Sequence, residues 1–186
     1  MGGDRRGACR DDGSGKKGLW VLIMKIVIDS DMFFFSMAQE TQKSGRRQIK
    51  SSEIRNAIQH ISQHPKRELC VPISVLGECV LLCLEGEYEV KHHNIQELHD
   101  LIDFWGGLNL SVLHPNDVVA ETIHNLYTHL EYKEERLSPG DLVHLGYALA
   151  YNADYFITTD KILNHYKVPE VFKLKIIPPG RVSEIL

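Results

Sequence analysis

The sequence lacks several features that would assign it to a familiar class. Its four cysteines form no CxxC pair. Cys79 and Cys83 stand at the i, i+4 spacing of a helix, which favours buried free thiols in a reducing, cytoplasmic compartment. No apolar run approaches the roughly 20 residues that a membrane-spanning helix needs. The net charge of -4 argues against a broad basic surface that would hold nucleic acid through its phosphates.

A zinc site of a known type also lacks its ligands. The chain has ten histidines, and the two stretches in which they cluster are "HHN" at 92–94 and "HISQH" at 60–64. Neither stretch has a matching second pair of ligands or the glutamate of an HExxH motif. The histidine content therefore does not indicate zinc.

The chain divides into a short N-terminal segment and one domain. Residues 1–18, "MGGDRRGACRDDGSGKKG", are rich in glycine and charge without apolar periodicity, so we expect residues 1–23 to form a mobile extension. Met24 is then a natural start. Leu19 to Ile28 does not suit a secretory signal, because Lys25 interrupts it and no small-residue cleavage site follows. Residues 24–186, in a chain that is 43% hydrophobic, are predicted to form a single domain.

Strand-like and helical segments alternate along residues 24–186, which predicts a mostly parallel sheet flanked by helices. The predicted strands are Lys25–Ile28, Leu69–Ile73, Leu108–Leu113, Tyr155–Thr158 and Lys173–Ile177. The predicted helices are Ser51–Gln63, Val75–Leu84 capped by Ser74 and stopped by Gly86, His92–Trp105, Asp117–Glu135, and Asp141–Tyr151 capped by Ser138. The last strand is expected at an edge, because two prolines follow it.

The stretch "KIVIDSDMFFF", residues 25–35, places Asp29 and Asp31 at the end of the first predicted strand. The carboxyl ends of strands are where open α/β sheets bind ligands, so both acids are site candidates. The alternative is that they cap the next helix. The triplet Phe33, Phe34 and Phe35 is interpreted as core and dimer contact, with base stacking as the alternative.

Three further acids occupy comparable places. Glu78 lies one turn into the helix after "CVPIS", Asp141 lies in the first turn of its helix, and Asp160 follows "YFITT". Taken singly, each can be explained by the helix dipole, which favours acids in first turns. Together with Asp29, however, four carboxylates on one edge would repel one another unless a cation lies among them. Mg²⁺ or Mn²⁺ is expected, because hard divalent ions take oxygen ligands.

These residues resemble the PIN domains, named for the PilT N-terminal region, which include the VapC-type toxins. The resemblance covers residues 25 to about 180 and is carried by "IVIDSD", "PISVLGE", "LSPGDLVHLGYALAYNADYFITTD" and "KIIPPGRV". It implies a three-layer PIN-like α/β domain with a central, mostly parallel five-stranded sheet. The sequence departs from the family pattern at Asp31, where asparagine or serine is more usual.

Members of the PIN family are metal-dependent ribonucleases. The resemblance therefore implies an Mg²⁺- or Mn²⁺-dependent endoribonuclease, with Thr158 or Thr159 supporting the site. It also implies an RNA substrate, a possible antitoxin partner and a homodimer. The catalytic and metal-binding residues it implies are Asp29, Glu78, Asp141 and Asp160.

Two other functions remain open at this point. In a haloacid-dehalogenase-like phosphatase, Asp29 would be the nucleophile and Asp31 the general acid, with Ser74 and Asp160 as later motif members. That reading leaves Glu78 without a purpose. The other alternative is a non-catalytic PIN-like module that binds RNA or protein. His144, three residues after Asp141, is interpreted as a histidine satisfied by helix packing, with substrate contact as its alternative.

Overall fold

The centre of the molecule is a sheet whose strands all run parallel. The structure is a computed structural model and describes residues 23–37, 51–85, 95–131 and 137–185. Within these ranges the strands are β1 (Met24–Ile28), β2 (Arg67–Pro72), β3 (Leu110–Leu113), β4 (Tyr155–Ile157) and β5 (Lys175–Ile177). They form one five-stranded sheet in the order β3-β2-β1-β4-β5. The predicted α/β fold class is confirmed.

Helices cover both faces of this sheet. In the described residues they are α1 (Ser30–Met37), α2 (Ser51–Gln63), α3 (Ile73–Glu85), α4 (Ile95–Gly106), α5 (Asp117–Glu131), α6 (Pro139–Ala150) and α7 (Lys161–His165), followed by a 3-10 helix (Pro179–Glu184). Ile26 and Ile28 pack with residues of α1 to α4, whereas Val27 packs with residues of α5, α6 and α7. Alternate β1 residues thus enter two cores, which gives three layers.

The position of β1 explains where ligands are expected. β1 pairs with β2 on one side and β4 on the other, and Ile26, Val27 and Ile28 are fully buried. The chain moves outward from β1 to β2 and β3, then crosses back to β4. The carboxyl ends of β1 and β4 therefore border the topological switch point, where open α/β sheets form their binding crevice.

The predicted strands agree with the observed ones to within two residues, and β5 lies at an edge as expected. One prediction is wrong at the β2–α3 junction. Ile73 begins α3 directly after Pro72 instead of ending the strand, so Ser74 lies inside the first turn and does not cap the helix. The cap of α6 is as predicted: Ser138 Oγ accepts from Asp141 N, and Pro139 starts the helix.

The other differences concern helix ends and short elements. α4 begins at Ile95 and α5 ends at Glu131; the predicted extensions at 92–94 and 132–135 lie outside the described residues, as does Gly86. The list of predicted helices omitted α1, α7 and the 3-10 helix, each of which has eight residues or fewer and is too short for a clear periodic apolar pattern. No helix in the described ranges is both long and apolar enough to cross a membrane.

The packing of the core tests the interpretations of the phenylalanine triplet and of the cysteines. Phe33 is fully buried, and its ring meets that of Trp105 edge to face at a centroid distance of 5.3 Å. Phe33 is therefore a core residue and not a base-stacking surface. Cys70 and Cys79 are buried and form no disulfide with any described residue, as expected. Cys9 and the side chains of Cys83 and Phe35 lie outside what the structure describes.

Candidate site at the carboxyl edge of the sheet

Asp29 is the most strongly constrained acid at the carboxyl edge. It follows β1 directly and is 4% exposed. Its Oδ1 accepts hydrogen bonds from Ser30 N at 2.8 Å and from His144 Nδ1 at 2.8 Å, and its Oδ2 accepts from Thr158 Oγ1 at 2.9 Å. The carboxylate thus has donors from α1, α6 and the β4 end. These contacts fix its orientation and offset the cost of burying a charge.

Glu78 reaches the same place through His144. α3 carries Glu78 along the carboxyl edge, and its Oε2 lies 3.4 Å from His144 Nε2. The His144 side chain is 4% exposed, whereas that of Glu78 is 41% exposed. The two ring nitrogens therefore face two different predicted site acids. His144 is buried and satisfied, as the packing interpretation requires, but its partners are carboxylates of the candidate site.

Asp31 lies in the first turn of α1, where it does not cap the helix but links it to the residues that follow β4. Its Oδ2 accepts from Thr159 N at 2.7 Å, from Thr159 Oγ1, and from Thr158 Oγ1 at 3.4 Å. Its Oδ1 is buried without a hydrogen-bond partner among the described residues. Burial, and then the negative charge of Asp29, raise the pKa of Asp31 to about 7. Thr158 and Thr159 thus support the acids by hydrogen bonding.

Asp141 and Asp160 each have a capping role. Asp141 Oδ2 accepts from Ser138 N at 3.3 Å, which completes the capping box of α6. Asp160 Oδ1 accepts from Leu163 N at 2.8 Å and caps α7. Burial raises the pKa of Asp141, and the charges of Asp29 and Asp160 add to this effect. Both charges therefore act on Asp141 across the edge of the sheet.

We call the set Asp29, Asp31, Glu78, Asp141 and Asp160 the acidic rim. All five side chains offer carboxylate oxygens as metal ligands. The Oδ1 of Asp31 is in addition buried without a hydrogen-bond partner among the described residues. Such a set of oxygen ligands suits a hard divalent ion. In the described parts of the chain, no three His, Cys, Asp or Glu side chains are arranged as ligands of one ion. Capping contacts hold Asp141 and Asp160, and His144 lies between Asp29 and Glu78.

Two contributors at this edge were missed or underestimated from the sequence. Asn164 Nδ2 donates to the carbonyls of Thr158 and Asp160 at 2.9 and 2.6 Å, so it holds the turn that presents Asp160. Its spacing of four residues from Asp160 was an available signal. His144 lies three residues after Asp141, which places both on one helical face. That spacing could not identify the partners of its ring nitrogens.

The fold of this chain is similar to that of several solved structures, including three VapBC complexes. VapBC2 from Rickettsia felis, bound to a DNA fragment from its promoter, matches with a TM-score of 0.60 and 16% identity, over 83% of this chain and 98% of that chain. DNA-bound VapBC from Salmonella typhimurium gives 0.58 and 15%, over 84% and 99%. VapBC-1 from nontypeable Haemophilus influenzae gives 0.53 and 17%, over 84% and 99%.

These complexes contain VapC, a PIN-domain protein, and the fold of this chain matches it. The predicted PIN resemblance is confirmed at the level of fold. No family model and no curated protein sequence matches the chain.

Proposed function

We propose that this protein is a divalent-metal-dependent endoribonuclease of the PIN toxin type. The observation that carries the proposal is the convergence of Asp29 and Asp31, after β1, with Thr158, Thr159 and Asp160, after β4, at the switch point. Hydrogen bonds join the two strand ends directly. Asp29 is buried and the other acids are partly exposed; their mutual repulsion is costly for stability, and a bound cation would offset it.

The acidic rim would hold the metal. Asp29, Glu78, Asp141 and Asp160 are the proposed ligands, direct or through water, with Asp31 beside them. A bound Mg²⁺ or Mn²⁺ would activate water and stabilise charge on the phosphodiester oxygens. The chain's own part is to orient the carboxylates. Thr158 Oγ1 lies between Asp29 and Asp31, and Asn164 donates to the carbonyls of the turn before α7, so these acids are held in fixed directions in which they would bind the ion.

The proposed partners follow from the fold matches and from the charge. RNA is the proposed substrate, and the metal ion would let an acidic protein approach its phosphates. The matched structures are VapBC complexes, which supports an antitoxin protein of the VapB type as partner. We further propose a homodimer located in the cytoplasm.

Two observations favour the phosphatase as a second candidate. The pKa of Asp31 lies at about 7, which suits a general acid near neutral pH. Ser74 Oγ is also buried without a hydrogen-bond partner among the described residues, and a phosphate oxygen would be a suitable acceptor. Against this candidate, Asp31 Oδ2 is held by backbone and side-chain donors of the TTD turn, and Glu78 has no role in it.

Amide substitutions separate these functions. Asp29→Asn, Glu78→Gln, Asp141→Asn and Asp160→Asn each remove one charge and keep the shape. Asparagine is a good N-cap, so the cap that Asp160 provides survives the change, and the amide oxygen in Asp141→Asn can still accept from Ser138 N. For a nuclease, each variant should weaken Mn²⁺ binding and single-stranded RNA cleavage together. If the acids serve only as caps, Asp141→Asn and Asp160→Asn should leave both properties unchanged.

The same variants, with Asp31→Asn, should be tested on a small phosphate ester. For a phosphatase, Asp29→Asn and Asp31→Asn should abolish ester hydrolysis while Glu78→Gln has little effect. That pattern, combined with unaffected RNA cleavage in Glu78→Gln and Asp141→Asn, would replace the nuclease by the phosphatase. RNA binding without cleavage in either metal would indicate the non-catalytic module. Asp103→Asn, an exposed acid on α4, is the matched control.

A further inference from the structure

The feature that the proposed chemistry leaves unexplained is the imidazole of His144. A buried histidine can be satisfied by any carbonyl or water, yet this ring directs both nitrogens at acids of the rim. Asp29 follows β1, Glu78 lies on α3, and His144 lies on α6. One ring therefore links three separate elements at the place where they meet.

The two contacts differ in kind. Asp29 Oδ1 accepts from both Ser30 N and His144 Nδ1 at 2.8 Å, so the ring supplies one of the two donors that orient this oxygen. An acceptor carboxylate requires the proton on Nδ1. Glu78 is a long side chain with 41% of its surface exposed. Without a contact on the rim it would gain rotamer freedom and move into solvent.

We propose that His144 is a positioning residue, which holds Asp29 through Nδ1 and brings Glu78 toward it through Nε2, so that both acids are arranged before a metal ion binds. This inference rests on the proposed function, because it assigns His144 a role in the same metal site. Groups that hydrogen-bond to ligands typically change metal affinity 10- to 100-fold when they are removed. The role requires the hydrogen bond of Nδ1 to Asp29 and the polar contact of Nε2 with Glu78, and not merely the volume of the ring.

Three substitutions separate the two contacts. The amide nitrogen of asparagine occupies nearly the place of Nδ1, so His144→Asn keeps a donor for Asp29 and loses the Glu78 contact. The amide nitrogen of glutamine reaches the place of Nε2, so His144→Gln keeps Glu78 and loses Asp29. His144→Ala loses both. Leu149→Ala, on the same helix and 2% exposed, removes packing without touching the rim and controls for a general loss of stability.

Mn²⁺ affinity should be measured by calorimetry on the full chain, together with kcat and KM for RNA cleavage and with the melting temperature. His144→Gln and His144→Ala should raise the Mn²⁺ dissociation constant about 10-fold or more. His144→Asn keeps the contact with Asp29 but loses the contact with Glu78, so its dissociation constant should lie between those of the unchanged protein and His144→Ala. The cleavage defect should appear in kcat, since no RNA contact is removed. If the alanine variant does not fold, the asparagine and glutamine variants carry the test.

Several results would overturn the inference. His144→Ala could bind Mn²⁺ as well as the unchanged protein, or its loss could match that of Leu149→Ala at equal stability. Asparagine could fail to restore affinity while glutamine does. The Asp29→Asn variant distinguishes failure of this inference from failure of the proposed function. If the unchanged protein and Asp29→Asn bind Mn²⁺ equally, the proposed metal site is wrong. If Asp29→Asn loses binding and His144→Ala does not, only the role of His144 is wrong.

Discussion

Asp31→Asn should stabilise the metal-free protein at neutral and alkaline pH. The carboxyl group of Asp31 lies beside Asp29, and burial together with that charge raises its pKa from 3.8 to about 7. Asparagine keeps an oxygen that accepts from Thr159 N and removes the charge. Its amide nitrogen takes the place of Oδ1, which has no hydrogen-bond partner among the described residues. The substitution thus removes repulsion and keeps the known contact.

The magnitude follows from the two pKa values. The pKa of Asp31 is about 7 in the folded protein and 3.8 in the unfolded chain. Full ionisation of Asp31 therefore lowers the free energy of unfolding of the protein by up to about 4 kcal/mol. Part of the Asp31 side chain is exposed, so solvent screening reduces this figure. We expect Asp31→Asn to gain roughly 2 kcal/mol at pH 8.

The sign of the pH dependence is specific. Between pH 3.8 and about 7 the folded protein holds a proton on Asp31 that the unfolded chain releases, so Asp31 costs stability progressively as pH rises through this window. The advantage of Asp31→Asn should therefore be small near pH 4 and full at pH 8. Denaturant unfolding in EDTA at pH 4.5, 6 and 8 measures it, with Asp103→Asn as an exposed control.

Two results would refute this reasoning. Asp31→Asn could be no more stable than the unchanged protein at pH 8, which would mean that the carboxylate is not under strain. Alternatively, its gain could be the same at pH 4.5 and pH 8, which would trace the effect to hydrogen bonding and not to charge. The Asp103→Asn control should change stability by less than about 0.5 kcal/mol at each pH.

The remaining predictions concern packing, capping and the N-terminal segment. Gly146→Ala should cost about 1–3 kcal/mol in denaturant unfolding, because its Cβ would overlap the Ile123 side chain where α5 meets α6; an unchanged stability would show that the helices separate easily. Ser138→Ala should cost about 1 kcal/mol, because Asp141 N loses its partner, and a loss of helix below the melting transition would contradict this. Deleting residues 1–23 should leave the melting temperature nearly unchanged by calorimetry; a large fall would mean that this segment extends β1.

The sheet could be predicted from sequence because its signals are local. The β-branched run of Lys25–Ile28 and the "YFITT" run are short, apolar and followed by acids. A parallel sheet then brings their carboxyl ends to one edge. The joining of Asp31 to Thr159 and the hydrogen bond from Thr158 to Asp29 confirm that these ends meet. The role of these acids in binding metal stays a prediction.

The details that escaped prediction depend on long-range geometry. Asp29 and His144 are 115 residues apart in sequence, and helical spacing gives the face of a residue without naming its partner across the fold. Ser74 illustrates a second limit. Its position after an apolar run is typical of a cap, but the helix starts one residue before it, because tertiary packing can override a local capping preference.

The passage from β2 to α3 leaves no spacer between strand and helix: Pro72 ends one and Ile73 begins the other. The number of residues between the end of β2 and Glu78 consequently sets the direction in which Glu78 points. Each residue of an α-helix turns the chain by about 100°, so one added or deleted residue at this junction would swing Glu78 well away from His144 and carry apolar positions of α3 out of the core. The direct junction therefore helps to set the distance between Glu78 on α3 and Asp29 after β1.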